Sequence, residues 1–399
     1  MGEHVFIAGV GAITAIGNNI AACLSAMEHE QPGMGAITYL ETAHRNQIPV
    51  AEVKLDNQAL AELAGMPADI SRTALLSCIA AKEALADAGI ENMASLRTGF
   101  ISANTVGGMD KTEHFFADFL KNNANGKLRE VIHHECGSVT ELVADHLGIR
   151  NYISTISTAC SSSANAIFLG ARMIRQGMLD IVVAGGTDSL TKFTLNGFNS
   201  LMILDREFCR PFDDTRAGLN LGEGAGYVVL VSEKVAASLQ KEMYGHISGY
   251  QNANDAFHQT ASSPGGDGSF LAMSGALKRS GLQITDIGYI NLHGTGTQNN
   301  DLAEGTAIQR LFGETPPPMS STKSFTGHTL GASGGIEAVF SALAVKHGML
   351  FPNLRFTTPM SELGLTPQLN FRKDQNIKHV LSNSFGFGGN CSSLIFSKP

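Results

Sequence analysis

Thr155-Ile156-Ser157-Thr158-Ala159-Cys160-Ser161-Ser162-Ser163-Ala164-Asn165 passes from an apolar, strand-like run into a helix that is apolar on nearly every face. Small residues crowd the junction around one thiol. Working outward, β-branched runs at Val5–Val10, Thr98–Ile101, Ile181–Ala184 and Tyr227–Val231 read as buried strands, and Ala- and Leu-rich segments at Ser71–Ala88 and Ala164–Arg175 read as helices. This alternation predicts an α/β layer architecture. Glu233–Lys241 is a polar helical stretch, after which the pattern restarts with His246–Tyr250, a helix near Ser269–Ser280, and strands near Ile287–Leu292 and Val380–Ser384. Two related α/β halves are expected, residues 1–240 and 241–399. Identity between them is too weak to count as a sequence repeat.

The chain has 399 residues, 43% hydrophobic and 16% charged, which is enough apolar surface for a large core and outside the disordered range. A net charge of −8 gives no overall basic field for nucleic acid or an anionic membrane, so neither is expected as a partner. Met1-Gly2-Glu3-His4 has no Lys or Arg and leads into a strand, so no secretory leader is expected; Phe6 occupies the position where myristoylation needs Ser or Thr. No run reaches the roughly 18 to 20 apolar residues of a membrane span. The cysteines (Cys23, Cys78, Cys136, Cys160, Cys209, Cys391) are scattered and form no Cys-x-x-Cys pair, which predicts reduced thiols and a cytoplasmic protein.

Three motifs imitate known sites. Gly9-Val10-Gly11-Ala12-Ile13-Thr14 starts like a dinucleotide fingerprint but lacks its third glycine, so no nicotinamide or flavin cofactor is expected. Gly186-Thr187-Asp188-Ser189-Leu190 imitates a pantetheinylated serine, yet follows a buried strand and reads as a turn. His133-His134-Glu135-Cys136 carries metal-capable side chains that would point about 100° apart on a helix, and no second cluster has ligand spacing, so no metal is expected.

Cys160 at a buried helix N-terminus would sit in the positive end of the dipole, which favours thiolate. Three further segments suggest that this thiol is chemical rather than structural. Asn291-Leu292-His293-Gly294-Thr295-Gly296-Thr297 places a histidine at a strand end, where catalytic groups collect in α/β folds. Ser321-Thr322-Lys323-Ser324-Phe325-Thr326-Gly327-His328, with Glu337 close behind, puts Lys and His in a small-residue loop. Asn383-Ser384-Phe385-Gly386-Phe387-Gly388-Gly389-Asn390 offers glycines that permit close backbone approach to a ligand.

These four segments, in this order, resemble the elongating, two-histidine β-ketoacyl-acyl-carrier-protein synthases, and the similarity spans nearly the whole chain. The resemblance implies a thiolase-like α/β fold, two related halves in a five-layer αβαβα arrangement, and a homodimer. It implies that Cys160 attacks an acyl thioester, that the amides of Cys160 and Phe387 form an oxyanion hole, and that His293 and His328 hold a malonyl thioester while carbon dioxide leaves. Lys323 is expected to pair with Glu337 and support the His328 loop. Thr260, Thr295 and Thr297 match positions lining the phosphopantetheine channel; Val106 and Phe198 join the substrate-binding set, Val106 as the acyl-pocket gate. The implied partner is an acyl carrier protein bearing acyl and malonyl groups, and no cofactor is implied.

The chain departs from the family pattern at Asn390-Cys391, at Gln298-Asn299-Asn300 and at Met202, where relatives often present a basic residue to the carrier. These departures open a second reading: the ketosynthase subunit of a specialised, aryl polyene-like or other type II polyketide pathway, paired with a chain-length-factor-like partner. A non-condensing partner subunit would lack the nucleophile, and this chain retains Cys160, His293, Lys323 and His328.

Overall fold

A computed structural model describes residues 4–90, 93 and 95–399; the expectation made for Met1-Gly2-Glu3 lies outside them. Among the described residues the strands are β1 (Val5–Thr14), β2 (Thr98–Ala103), β3 (Tyr152–Ile156), β4 (Ile181–Asp188), β5 (Gly224–Ser232), β6 (Gly245–Asn254), β7 (Tyr289–Asn291), β8 (Met319–Ser320), β9 (His379–Gly386) and β10 (Asn390–Ser397). They pair in the order β3-β2-β4-β5-β1-β6-β10-β9-β7-β8. Read inward from either end the order is the same, with β6–β10 taking the places of β1–β5 and with β1 meeting β6 at the centre. Strand direction repeats as well. The outer pairs β2/β3, β2/β4, β7/β8 and β7/β9 are parallel, and the inner pairs β4/β5, β1/β5, β9/β10 and β6/β10 are antiparallel.

The helices divide this strand set into layers. Helix Arg72–Ala88 packs on β1, β4 and β5. Helices Ser162–Arg175 and Ser333–His347 pack on one another and on strands of both halves, so they form a central layer. Helix Asp267–Ser280 covers β6, β9 and β10 on the far side and is backed by helix Gln298–Phe312. The result is α-β-α-β-α, and the apolar clusters follow it: one fills the central layer, one lies beneath helix Arg72–Ala88, and one lies beneath helix Asp267–Ser280. Residues Ser333 to Val345 are buried without a break, as a helix enclosed by two sheets requires.

Gly9 and Gly11 have a packing role. A Cβ at Gly9 would lie 2.2 Å from Ala84 O, and one at Gly11 the same distance from Ala80 O, so the glycines let β1 press against the backbone of helix Arg72–Ala88. Ser189, the imitation carrier serine, is fully buried and bonds Thr73 Oγ1 at 2.8 Å. His133-His134-Glu135-Cys136 is a junction between a 3₁₀ turn ending at His133 and a helix starting at Cys136, with His134 Nδ1 bonded to Thr112. The polar helix expected over 233–241 ends at Ser238. No helix among the described residues is long and apolar enough to cross a membrane.

The parallel strands bring their C-terminal ends to one region. β3 leads into Cys160, β7 into His293, β8 into Lys323 and β9 into Phe387, while β2 and β4 deliver Val106 and Asp188.

Candidate active site

Cys160 stands on a tight turn between β3 and helix Ser162–Arg175. Ala159 adopts a left-handed φ of 53°, a conformation that costs a non-glycine residue about 1 to 3 kcal/mol. Ser162 offsets this locally: its hydroxyl accepts from Thr158 N at 2.7 Å and donates to Ala159 O at 2.5 Å. The turn lifts the thiol to the inner end of a cavity of about 340 Å³. The β9 turn closes on it from the other side. A Cβ at Gly386 would lie 3.1 Å from Cys160 N and 3.0 Å from Thr158 O, so any side chain there would push this turn back by a few tenths of an ångström.

The approach aims two backbone N–H groups, those of Cys160 and Phe387, at the Cys160 sulfur. Burial pushes the thiol up to about 11, against the opposing pull of the Lys323 charge and the two amides. The helix dipole's pull toward thiolate is thus opposed by burial, which disfavours the charged form.

One ring nitrogen from each of His293 and His328 lies within 4.8 Å of the other and of Cys160 Sγ. The rings meet edge to face, with centroids 5.4 Å apart. Their protons are assigned by what they touch. Lys323 Nζ, which can only donate, stands 3.2 Å from His293 Nδ1, and Leu330 N–H donates to His328 Nδ1 at 3.0 Å. Both Nδ1 atoms therefore accept, so each Nε2 carries the proton. Burial holds both imidazoles well below their ordinary range, and the Lys323 cation lowers them further. The site thus presents two neutral N–H donors beside one thiol.

Lys323 pairs with Glu337 inside the protein, and its Nζ also donates to His293 O at 2.6 Å. The ammonium reaches His293, across from β8, while Lys323 O accepts from Gly327 N at 3.0 Å beside His328, and Leu330 N and Ser333 Oγ meet His328 Nδ1. Sequence reasoning missed Asp301 and Glu304. Both are fully buried on helix Gln298–Phe312. Glu304 accepts from His293 N at 2.9 Å and Gly294 N at 2.8 Å, and Asp301 accepts from Thr295 N and Gly296 N. The available signal was two acids at i and i+3 directly behind the His-Gly-Thr turn.

Thr260, Thr295, Thr297 and Phe198 line the cavity, as do Met202 and Gln298–Asn300. The Phe198 ring stacks on Phe387, with centroids 5.9 Å apart and planes at 14°. Val106 is not among the residues lining this cavity. It is buried in an apolar cluster with Leu190, Leu195 and Leu219, and of this cluster Leu219 and the adjoining Phe198 and Ile203 face the cavity.

The model of the β-ketoacyl synthase N-terminal domain matches residues 2–236, and that of the C-terminal domain matches residues 244–357. The chain is 33% identical over 408 residues to the 3-oxoacyl-[acyl-carrier-protein] synthase 2 of Staphylococcus aureus (strain COL), covering 99% of this chain and 98% of that protein. Among solved structures, the ishigamide ketosynthase/chain length factor is 27% identical with a TM-score of 0.93, over 100% of both chains. A ketosynthase in complex with its chain length factor from Xenorhabdus doucetiae is 30% identical with a TM-score of 0.85, over 100% of this chain and 98% of that one. The layered architecture is thus the thiolase-like fold, and the chain belongs to the β-ketoacyl synthase family.

Proposed function

We propose that this condensing acyltransferase is a β-ketoacyl-acyl-carrier-protein synthase that joins a Cys160-bound acyl group to malonyl carrier by decarboxylative Claisen condensation. The observation that carries this reading is the convergence of the Cys160 sulfur with one ring nitrogen from each of His293 and His328, all within 4.8 Å of one another, where the amides of Cys160 and Phe387 also bond the sulfur.

In the first half-reaction the Cys160 sulfur attacks the acyl thioester, and its proton ends on the departing carrier thiol. The amides of Cys160 and Phe387 bind the oxygen that becomes negative. In the second, His293 and His328 donate to the malonyl thioester oxygen as carbon dioxide leaves and an enolate forms. The enolate carbon attacks the acyl carbonyl, the amides again hold the oxyanion, and Cys160 leaves as thiolate and regains a proton. Splitting the condensation this way replaces one difficult step with two easier ones. Thr260, Thr295 and Thr297 are the polar lining for a phosphopantetheine arm, and the halves divided near residue 240 contribute Cys160 on one side and both histidines on the other.

The expected partner is an acyl carrier protein, and the expected assembly is a dimer through β3. Among the described residues that strand ends the sheet with one edge unpaired, and Phe116, Phe119 and Leu120 expose apolar surface on helix Met109–Lys121. A second copy is the first choice of partner. Pairing with a chain-length-factor-like subunit, in a type II polyketide pathway, is supported by the two ketosynthase/chain length factor likenesses and by Met202, 88% exposed at the cavity mouth. Native mass measurement alone and with such a subunit distinguishes the two. The free cysteines support a cytoplasmic location. The reaction is tested by incubating the protein with acyl- and malonyl-carrier substrates. A carrier product longer by two carbons, with release of carbon dioxide, is expected; absence of extension across a ladder of acyl lengths would refute it.

A further inference from the structure

Asp188 ends β4 with its side chain fully buried. Its carboxylate joins two loops that are far apart in sequence. Oδ1 accepts from Thr105 N at 2.8 Å and Val106 N at 3.1 Å; Oδ2 accepts from Thr105 Oγ1 at 2.7 Å and Gly331 N at 2.7 Å. The first loop carries Val106. The second follows His328, and in it Leu330 holds a left-handed φ of 51°, which a branched side chain rarely adopts. That conformation directs Leu330 N–H at His328 Nδ1 and so places the ring proton on Nε2.

The next residue, Gly331, is held at both its N–H and its C=O. Gly331 N–H donates to Asp188, and Gly331 O accepts from Ser163 Oγ, in the first turn of the helix that follows Cys160. A Cβ at Gly331 would lie 2.8 Å from Asp188 Oδ2, so the carboxylate and the loop backbone are in direct contact. The clamp accounts for the persistence of an unfavourable Leu330 backbone.

We propose that Asp188 is a positioning residue for the condensation: by holding Gly331 it fixes the strained Leu330 amide that selects the Nε2–H tautomer of His328. The inference rests on the condensing role of His328 described above. It predicts that malonyl decarboxylation depends on Asp188 more than acyl transfer does, because the oxyanion amides belong to Cys160 and Phe387 and not to this loop.

The test is Asp188→Asn. An amide that keeps its oxygen on Thr105 N and Val106 N turns an N–H toward Gly331 N–H, and the two donors repel. Malonyl-carrier decarboxylation is expected to fall about 10- to 100-fold in kcat, the cost of misplacing one group by a fraction of an ångström to an ångström, with KM unchanged and Cys160 acylation within about twofold. The ¹⁵N resonance of His328 Nδ1 is expected to leave its unprotonated position. Thr105→Val, which removes only the hydroxyl bond on the other loop, serves as the comparison and keeps decarboxylation near wild type. Equal loss of both half-reactions in Asp188→Asn, or an unmoved His328 resonance, overturns the inference. If Asp188→Asn does not fold, Asp188→Ser is carried through the same assays, and failure of both to fold overturns it in favour of a purely structural carboxylate. Failure of wild-type protein to decarboxylate malonyl carrier would instead sink the condensing reading on which it rests.

Discussion

Lys323 holds His293 at two points, Nδ1 of the ring at 3.2 Å and the backbone oxygen at 2.6 Å, while its charge is balanced by Glu337. One buried cation therefore sets the orientation of the imidazole and its tautomer, and adds to the burial that keeps the ring neutral. Lys323→Ala frees the ring to rotate and leaves Glu337 buried without a counter-charge. Malonyl decarboxylation is expected to fall about 10- to 100-fold, and the melting temperature to drop, since breaking a buried pair costs roughly 3 to 5 kcal/mol. Steady-state decarboxylation and thermal melts check both; a variant with full activity would remove Lys323 from the mechanism.

His293→Ala and His328→Ala each delete one Nε2–H donor from the malonyl side. Condensation is expected to fall by about 100-fold or more in each, the usual cost of one preorganised donor. Acylation of Cys160 survives better, because its oxyanion amides remain. The half-reactions are followed separately, by release of carbon dioxide and by acyl-enzyme mass. Equal losses would mean that the histidines serve the thiol.

Both imidazoles are held well below the ordinary histidine range by burial and by Lys323. A depressed histidine gains its proton only at lower pH than in the unfolded chain. On titration from pH 8 down to pH 6, about half a unit below an unperturbed imidazole, both rings are therefore expected to stay neutral. Protein with ¹⁵N-labelled histidine, assigned with the single His→Ala variants, reports this directly; protonation of either ring near pH 6.5 would contradict the donor assignment.

How much of this was legible in the chain differs by residue. Cys160, His293 and His328 stood out because each lies among Gly, Ser and Thr at a strand end, where a reactive side chain is not diluted by core packing. Asp301 and Glu304 did not, since an acidic helix start usually faces water, and only the fold shows that theirs faces the His293 turn. The reach of Lys323 Nζ to His293 was hidden for a similar reason: the two are 30 residues apart, and only the pairing of β8 beside β7 brings them together. Gly9-Val10-Gly11 resembled a ligand loop because close approach to a helix backbone and to a pyrophosphate demand the same missing Cβ.

Val106 shares an apolar cluster with Leu219, Phe198 and Ile203, which line the cavity. Val106→Phe is expected to act through them, pushing on the Phe198 side of the site. Overpacking of about 1 to 3 kcal/mol predicts a lowered melting temperature and roughly tenfold poorer loading of long acyl groups, with short ones still reaching Cys160. Acylation with short and long acyl carriers, compared by mass, tests this. An unchanged ratio would show that the cluster does not border the acyl chain.

Covalent capture at Cys160 is the step on which everything else depends, and intact-protein mass spectrometry reads it most directly. Wild-type protein mixed with an acyl carrier is expected to gain one acyl mass, to lose it when malonyl carrier is added, and to release a carrier product two carbons longer. Cys160→Ser should gain none while remaining folded, because a serine hydroxyl without a matched base is a far weaker nucleophile. Cys160→Gln should still decarboxylate malonyl carrier through His293 and His328. Normal elongation by Cys160→Ser, or an acyl mass mapping to another residue, would contradict the account.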